Sequence, residues 1–366
     1  MVRQISRKGS SLPGSAPAQD PYVKLSNIPG VIRGRGELIE QENEIAHSHI
    51  DWTRATDSKE LSLLDRWAQV VGPPVIRQLA SPSPTDALDE LTFVVWNTNV
   101  GSADLAAFLI DLTQGRLTDG RSVKHFVLLL QEVHRSGPAV PERPPLSGIG
   151  SNRIESFPCH GWRMGIDALA ESTGLALYYV PSMRNGLPGT DERPEDRGNA
   201  ILSTLPLSRL RAFELPFERE RRVAVAARVQ GNARCGLPWS VDWVNVHLDP
   251  RSAGWRLHRS LGAGRARQTE WLLDVLEEEA PTLVGGDFNT WTGGEKEPAV
   301  CHMRKRFRPP EESPGGGTLS LSRFLPSLKL DHVFFRLPRG WRSECSILEH
   351  TYGSDHRALI GQISIE

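Results

Sequence analysis

Residues 282–289 read Thr-Leu-Val-Gly-Gly-Asp-Phe-Asn, an apolar run that stops on two glycines, an acid and an amide. A short run of this kind, bounded by glycine, is the pattern of a strand buried on both faces. Asp287 and Asn289 then stand at the mouth of a core rather than inside it. Working outward, the same grammar recurs. Residues 92–96 lead into Asn97, 126–130 into Gln131 and Glu132, and 241–246 into His247. Asp331 and His332 open the run 333–335, and Ser354-Asp355-His356 precedes the run 359–363. Runs at 175–180 and 223–229 complete the set that reads as strands. Polar groups delivered from several strand ends can converge on one site.

Between these runs the period changes. Leu105, Phe108, Leu109 and Leu112 fall at i, i+3, i+4 and i+7 and predict a helix that Ser102 can cap. Residues 265–279 predict a second helix that buries Leu272, Val275 and Leu276, and the basic run 304–308 reads as a charged helix face. Upstream, Asp57 followed by Glu60 has the form of a capping box, Leu61, Leu64, Trp67 and Val71 share one face, and Gly72-Pro73 ends the pattern. Many strands with few intervening helices predict an α+β fold: a four-layered α/β sandwich of two packed mixed β-sheets flanked by helices. Residues 1–20, rich in Ser, Pro, Gly and Ala, predict a disordered tail. Residues 21–88 read as a helical arm with a linker at 81–84, and 89–366 as the main domain. Residues 138–151 and 184–197 read as inserted loops, the second carrying Asp191, Glu192, Glu195 and Asp196.

The 366 residues are 39% hydrophobic and 24% charged with a formal net charge of −1, as in an ordinary soluble globular chain. Charge on the whole chain therefore selects no polyanionic partner; any such preference lies in local patches. The basic residues are unevenly chosen. Lysine occurs at only seven positions, so 43 − 7 leaves 36 arginines. Genomic base composition explains this, and so does phosphate recognition by the planar guanidinium fork. The four cysteines are far apart and form no zinc or redox motif. The N-terminal segment is basic without a following apolar core, and no run approaches the roughly 18 apolar residues of a membrane span. A cytoplasmic location is the expectation.

The strand-end residues suit phosphoryl chemistry. A phosphodiester is anionic and repels nucleophiles, so a hard dication on oxygen ligands is needed to neutralise developing charge. Glu132 is the best single ligand, with Asp355 completing the sphere or holding His356. Asp287 suits the proton acceptor for an attacking water, and Asn289, two residues on, lies on the same face of an extended segment. His356 and His247 are donors when protonated, and Asp331 can orient His356 and raise its pKa. Singly, each has a duller reading: Asn97 as a turn residue, Glu132 as a solvated strand end, His247 as a core histidine. Jointly, polar groups at the ends of so many apolar strands favour an active site. His134 and His332 read as structural, and Asn199 and Arg222 as phosphate-side contacts or scaffold.

The ordered series WNTN, QE, GNAILS, NVHL, GGDFN, LDH and SDH resembles the endonuclease/exonuclease/phosphatase superfamily over residues 91–364. That group includes pancreatic-type deoxyribonucleases, abasic-site endonucleases, sphingomyelinases, inositol-polyphosphate 5-phosphatases and deadenylases. The resemblance implies a two-sheet sandwich and metal-dependent phosphoester hydrolysis with Mg²⁺ or Mn²⁺. It makes Asn97 and Glu132 the metal-proximal pair, with Asp287 and Asn289 as the Asp-x-Asn block. Asp331 becomes the histidine-orienting acid and Asp355-His356 the terminal pair. His247 matches a histidine of the deoxyribonuclease and sphingomyelinase branches. Asn99 stands where abasic-site enzymes carry an acid, which leaves the number of metals open. Ala358 replaces a proline often found two residues after the final histidine.

A phosphodiester substrate, with nucleic acid favoured, is the expected partner. Arg251, Arg256, Arg259, Arg265 and Arg267, interleaved with Trp255 and His258, follow His247 and suit a phosphate backbone with a stacked base. The inositol-phosphatase branch is disfavoured because its Asp-Arg pair is absent, and no membrane-inserting hydrophobic loop of the sphingomyelinase kind is evident. A small-molecule, lipid or sugar-phosphate phosphoesterase, or a binding protein that kept the fold without activity, are the alternative readings.

Overall fold

The computed structural model describes residues 49–54, 57–78, 87–141, 163–185, 194–250, 262–291, 293–311, 315–319 and 327–365. In chain order these form β1 (Asp51–Arg54), α1 (Ser58–Ala68), β2 (Val75–Arg77), β3 (Glu90–Asn97), α2 (Leu105–Thr113) and β4 (Phe126–Ser136). There follow α3 (Ile166–Thr173), β5 (Ala176–Asn185), β6 (Glu195–Ser203), β7 (Ser208–Glu214), β8 (Val223–Asn232) and β9 (Pro238–His247). The last are α4 (Ala263–Val275), β10 (Thr282–Asp287), α5 (Pro298–Arg306), β11 (Asp331–Arg336), β12 (Arg342–Ile347) and β13 (Leu359–Ser364).

Six strands form one sheet in the order β1-β7-β8-β9-β10-β11, and seven form the other in the order β12-β13-β3-β4-β6-β5-β2. Both are mixed. β1–β7, β9–β10 and β3–β4 pair in parallel, while neighbours such as β10–β11 and β13–β3 are antiparallel. Side chains alternate along each strand, and that alternation builds the layers. Phe93, Val95, Val127 and Leu129 face Val225, Trp243, Leu283 and Phe335 across the space between the sheets. Their neighbours Val94, Trp96, Leu128 and Leu130 point the other way, under Leu105, Phe108 and Leu109 of α2 and Ile166 and Leu169 of α3. On the opposite outer face Val244, Val246 and Val284 pack against Leu272 and Leu273 of α4 and Val300 and Met303 of α5. The order helix, sheet, sheet, helix is the four-layered sandwich read from the sequence.

All eight apolar runs are strands, and the differences lie at the edges. Asp104, not Ser102, caps α2: its Oδ1 accepts from the Ala107 N–H at 2.9 Å, while the Ser102 hydroxyl donates to the Gly353 carbonyl at 3.2 Å. The second helix spans Ala263–Val275, and Leu276 beyond it has extended backbone. Asp57 caps α1, accepting from the N–H groups of Lys59 and Glu60 at 3.0 Å. The Glu60 carboxylate, instead of closing a capping box, pairs with Arg267 of α4. Segments flanking α1 supply an edge strand to each sheet, β1 against β7 and β2 against β5. Glu195–Arg197, read as part of an inserted loop, belong to β6 because Asp196 is buried against Arg135.

The tail at 1–20, the linker at 81–84, Cys159, Asp191, Glu192 and residues 251–259 lie outside the described residues. Cys235, Cys301 and Cys345 are free thiols. No described helix is long and apolar enough to cross a membrane.

Candidate active site

Register brings the polar strand ends together. Asp287, the last residue of β10, pairs with His247 on one side and Asp331 on the other, so three adjacent strands present an imidazole and two carboxylates at one level. In the facing sheet, Asn97 ends β3 beside Gln131 of β4. The segment 354–356 is laced onto β3: Ser354 Oγ donates to the Asn97 carbonyl at 2.7 Å and accepts from the His356 N–H at 3.0 Å. Trp96 Nε1 donates to the His356 carbonyl, also at 3.0 Å. Beneath the site, Gln131 Nε2 donates to Asn245 Oδ1 at 2.7 Å and so bridges the two sheets. Gly286 has φ 154°, and a Cβ there would lie 1.8 Å from the Val246 carbonyl oxygen, so only glycine lets β10 come this close to β9.

Asp287 Oδ2 is the point of convergence. Asn97 Nδ2 donates to it at 3.0 Å, His247 Nε2 lies at 3.5 Å and His356 Nε2 at 4.0 Å. Its other oxygen accepts the Asn289 N–H at 2.8 Å. Burial, and then the negative charge of Asp331, raise the Asp287 pKa toward neutrality against the pull of His356. The two histidines are set to opposite charge states. Burial opposes charge on His356, but Asp331, bonded to Nδ1 at 2.7 Å, together with Asp287 and Asp355, raises its pKa to about 10. Burial, then Arg222, Arg197 and His356, drive the His247 pKa well below its usual value. Of the two rings read as donors when protonated, His356 is thus favoured in the charged form and His247 in the neutral one. Arg222 Nη1 faces both ring nitrogens of His247, at 3.0 Å from Nδ1 and 3.2 Å from Nε2, and a guanidinium can only donate to whichever of them is unprotonated.

Glu132 reaches the site through a bulge. Leu130 faces Ala200 and Val133 faces Gly198, so Gln131 and Glu132 together oppose Asn199. The backbone of Glu132 is left-handed at φ 55°, which turns its carboxylate out of the ladder. Asn99 and Val100 are also left-handed, at φ 50° and 56°, and Val100 N–H donates to Glu132 Oε2 at 3.2 Å. A β-branched residue at positive φ is strained, and strain of this kind clusters at functional sites.

A hard dication prefers oxygen ligands. Glu132, Asp355 and Asn97, whose Oδ1 accepts only the Asn99 N–H at 3.0 Å, offer such a set. Asp355 is exposed by surface area, yet burial raises its pKa; His356 lowers it, and Glu132 and Asp331 raise it again. A cation between Glu132 and Asp355 would relieve the repulsion of the two carboxylates. Ligand atoms of Asp287, Asp331 and His356 also lie within 4.8 Å of one another. Within that buried trio, Asp331 and His356 are already bonded to each other.

Of the remaining expected residues, Arg222 packs on His247 and pairs with Glu220 at 2.6 Å. Asn199 is turned to structure: its amide donates to the Val223 carbonyl at 2.8 Å and braces β6 against β8. Arg265 and Arg267, expected to border a substrate, are held by Glu297 and by Glu60 and Glu218. His332 and His134 are buried and structural, with pKa values lowered by burial to about 4 and about 3. Ser354, Trp96 and Trp291, whose Nε1 donates to Asn289 Oδ1 at 3.0 Å, were not singled out by sequence. Ser354 alone carried a signal, as part of a strand-preceding polar triplet. A cavity of about 740 Å³ opens at the far end of β3 and β13, beside Glu90, Thr92 and Gln362, remote from this chemistry.

The profile of the Endonuclease/Exonuclease/phosphatase family matches residues 94–356. Among solved structures, an endonuclease/exonuclease/phosphatase from Beutenbergia cavernae is 19% identical, with 76% of this chain and 72% of that chain covered at TM-score 0.49. A family protein from Leptotrichia buccalis is 14% identical over 75% of this chain and 100% of that chain, with TM-score 0.49. Sphingomyelinase C from Streptomyces griseocarneus is 15% identical over 75% and 99%, with TM-score 0.44. No curated protein matches the chain.

Proposed function

Because the chain belongs to the endonuclease/exonuclease/phosphatase family, we propose that it is a divalent-metal-dependent phosphodiester hydrolase acting on nucleic acid. One observation carries the catalytic reading: Asn97, His247 and His356 all converge on Asp287 Oδ2. A buried carboxylate whose pKa is raised toward neutrality is matched to take a proton from an attacking water. His356, held cationic and oriented by Asp331, donates Nε2–H to the phosphate oxygens as negative charge gathers on them. His247 offers a neutral imidazole, held in place by Arg222, within 3.5 Å of Asp287. Glu132, Asn97 and Asp355 would hold Mg²⁺ or Mn²⁺, which would supply neutralisation of developing negative charge. Asp331 is followed by His332 and not by the arginine of the inositol-phosphatase pattern, which counts against inositol phosphates, and nucleic acid is the diester proposed among those that remain.

A panel of abasic, single- and double-stranded DNA, RNA, sphingomyelin and inositol phosphates, assayed with Mg²⁺, tests this reading. Cleavage of DNA or RNA with little action on the others is expected. Turnover confined to the lipid or sugar phosphates would move the protein to another branch of the family.

A further inference from the structure

Among the described residues the exposed large apolar side chains are Trp52, Leu237 and Trp291, and Trp291 borders the residues gathered around Asp287. Its ring is 38% exposed, yet its Nε1 is committed to Asn289 Oδ1 at 3.0 Å. On the other side, Asn289 Nδ2 donates to the Leu248 carbonyl at 2.9 Å. An indole nitrogen only donates and a carbonyl only accepts, so these two contacts set the amide orientation without ambiguity. One Asn289 amide N–H goes to Leu248, and among the described residues the second has no partner, so it is the donor available to a ligand. The Asn289 backbone is itself pinned, left-handed at φ 51° with its N–H on Asp287 Oδ1 at 2.8 Å. The Leu248 carbonyl and the indole N–H hold the amide between them, and loss of the indole leaves its oxygen end untethered.

We propose that Trp291 is a positioning and specificity residue. Its N–H holds Asn289 with an amide donor toward the substrate phosphate, and its exposed ring stacks on a nucleobase attached to that phosphate. This rests on the nuclease reading above and adds the part of the substrate that is recognised. An indole is rigid and amphipathic, so one end fixes a polar partner while the other offers an apolar face. Stacking of a base on such a face is worth on the order of ten- to a hundredfold in affinity.

The two roles separate in two variants. The substrates are a single-stranded thymidine tetranucleotide and the same phosphodiester backbone with tetrahydrofuran in place of every nucleoside. Trp291→Phe keeps a ring and loses the N–H: kcat should fall about tenfold on both substrates, with KM and the preference for the base-bearing one retained. Trp291→Leu loses both: kcat falls, and the kcat/KM ratio between the substrates should collapse by roughly tenfold or more. That ratio is internal to each variant and independent of the folded fraction. Wild-type kcat in Trp291→Phe, or an unchanged ratio in Trp291→Leu, would overturn the inference while the nuclease reading stands. Wild-type protein that turns over neither substrate overturns both.

Discussion

His356 sits among three carboxylates in a place where burial alone would strip its proton. Asp331, bonded to its Nδ1 at 2.7 Å, is the largest of the charges that hold the pKa at about 10. The ring is thus cationic below that value and loses its charge only as the pH rises through it. Asp331→Asn removes the raising charge and leaves the burial, so the His356 pKa should fall by roughly 1–3 units. The alkaline limb of the kcat profile should move down with it. Following the imidazole resonances by NMR across pH measures the shift directly; an unmoved titration would mean that Asp331 is not what charges the ring. This pairing was legible in the sequence because each partner adjoins an apolar run. The tether from Trp291 to Asn289 was not, since an isolated tryptophan after a strand end carries no period, and its role rests on one hydrogen bond that only three dimensions reveal. The left-handed turn at Glu132 was hidden for the same reason: a bulge leaves the composition of a strand unchanged.

At the scale of elements, the eight apolar runs announced themselves, and the five strands they missed share a physical cause. β6 opens with Glu195, Asp196 and Arg197, and β7 carries Arg211 and Glu214, charges that argue against a buried strand when read singly. They are buried because they are paired: Arg135 with Asp196, Arg211 with Asp242, and Arg221 with Glu214. β1, β2 and β12 are short or polar edge strands with little apolar pattern to read. Asp196 is the clearest case, fully buried and also accepting from Tyr179 Oη and the Gly72 N–H at 2.8 Å. Arg135→Ala would leave that carboxylate without its cation, and removal of one partner of a buried pair typically costs about 3–5 kcal/mol. Denaturant unfolding of the variant should show a loss of that order; a loss within about 0.5 kcal/mol, as at an ordinary surface position, would contradict the structural role given to the pair.

Across the whole molecule, part of the arginine excess is turned inward. Several described guanidinium groups are buried against acids within the sandwich, among them Arg135, Arg211, Arg221 and Arg265, and are committed to the fold instead of to an anionic substrate. The layers themselves, two sheets meeting on Phe93, Val95, Trp243 and Leu283, exist to hold strand ends at one edge in fixed register. Glu132, Asn97 and Asp287 come from both sheets, so a site of this geometry depends on the complete sandwich. What the sequence left open, the choice of diester, depends on loop residues that no strand or helix period describes.

The converging groups are proposed to hydrolyse phosphodiesters with a dication. Steady-state hydrolysis of bis(p-nitrophenyl) phosphate as a function of Mg²⁺, for the wild type, Glu132→Gln and His356→Ala, tests it most directly. The wild type should be inactive in chelator and show a saturable metal requirement, Glu132→Gln should need more metal, and His356→Ala should lose on the order of 10²–10⁴ in rate. Hydrolysis that persists in chelator, or that survives unchanged in His356→Ala, would contradict the account.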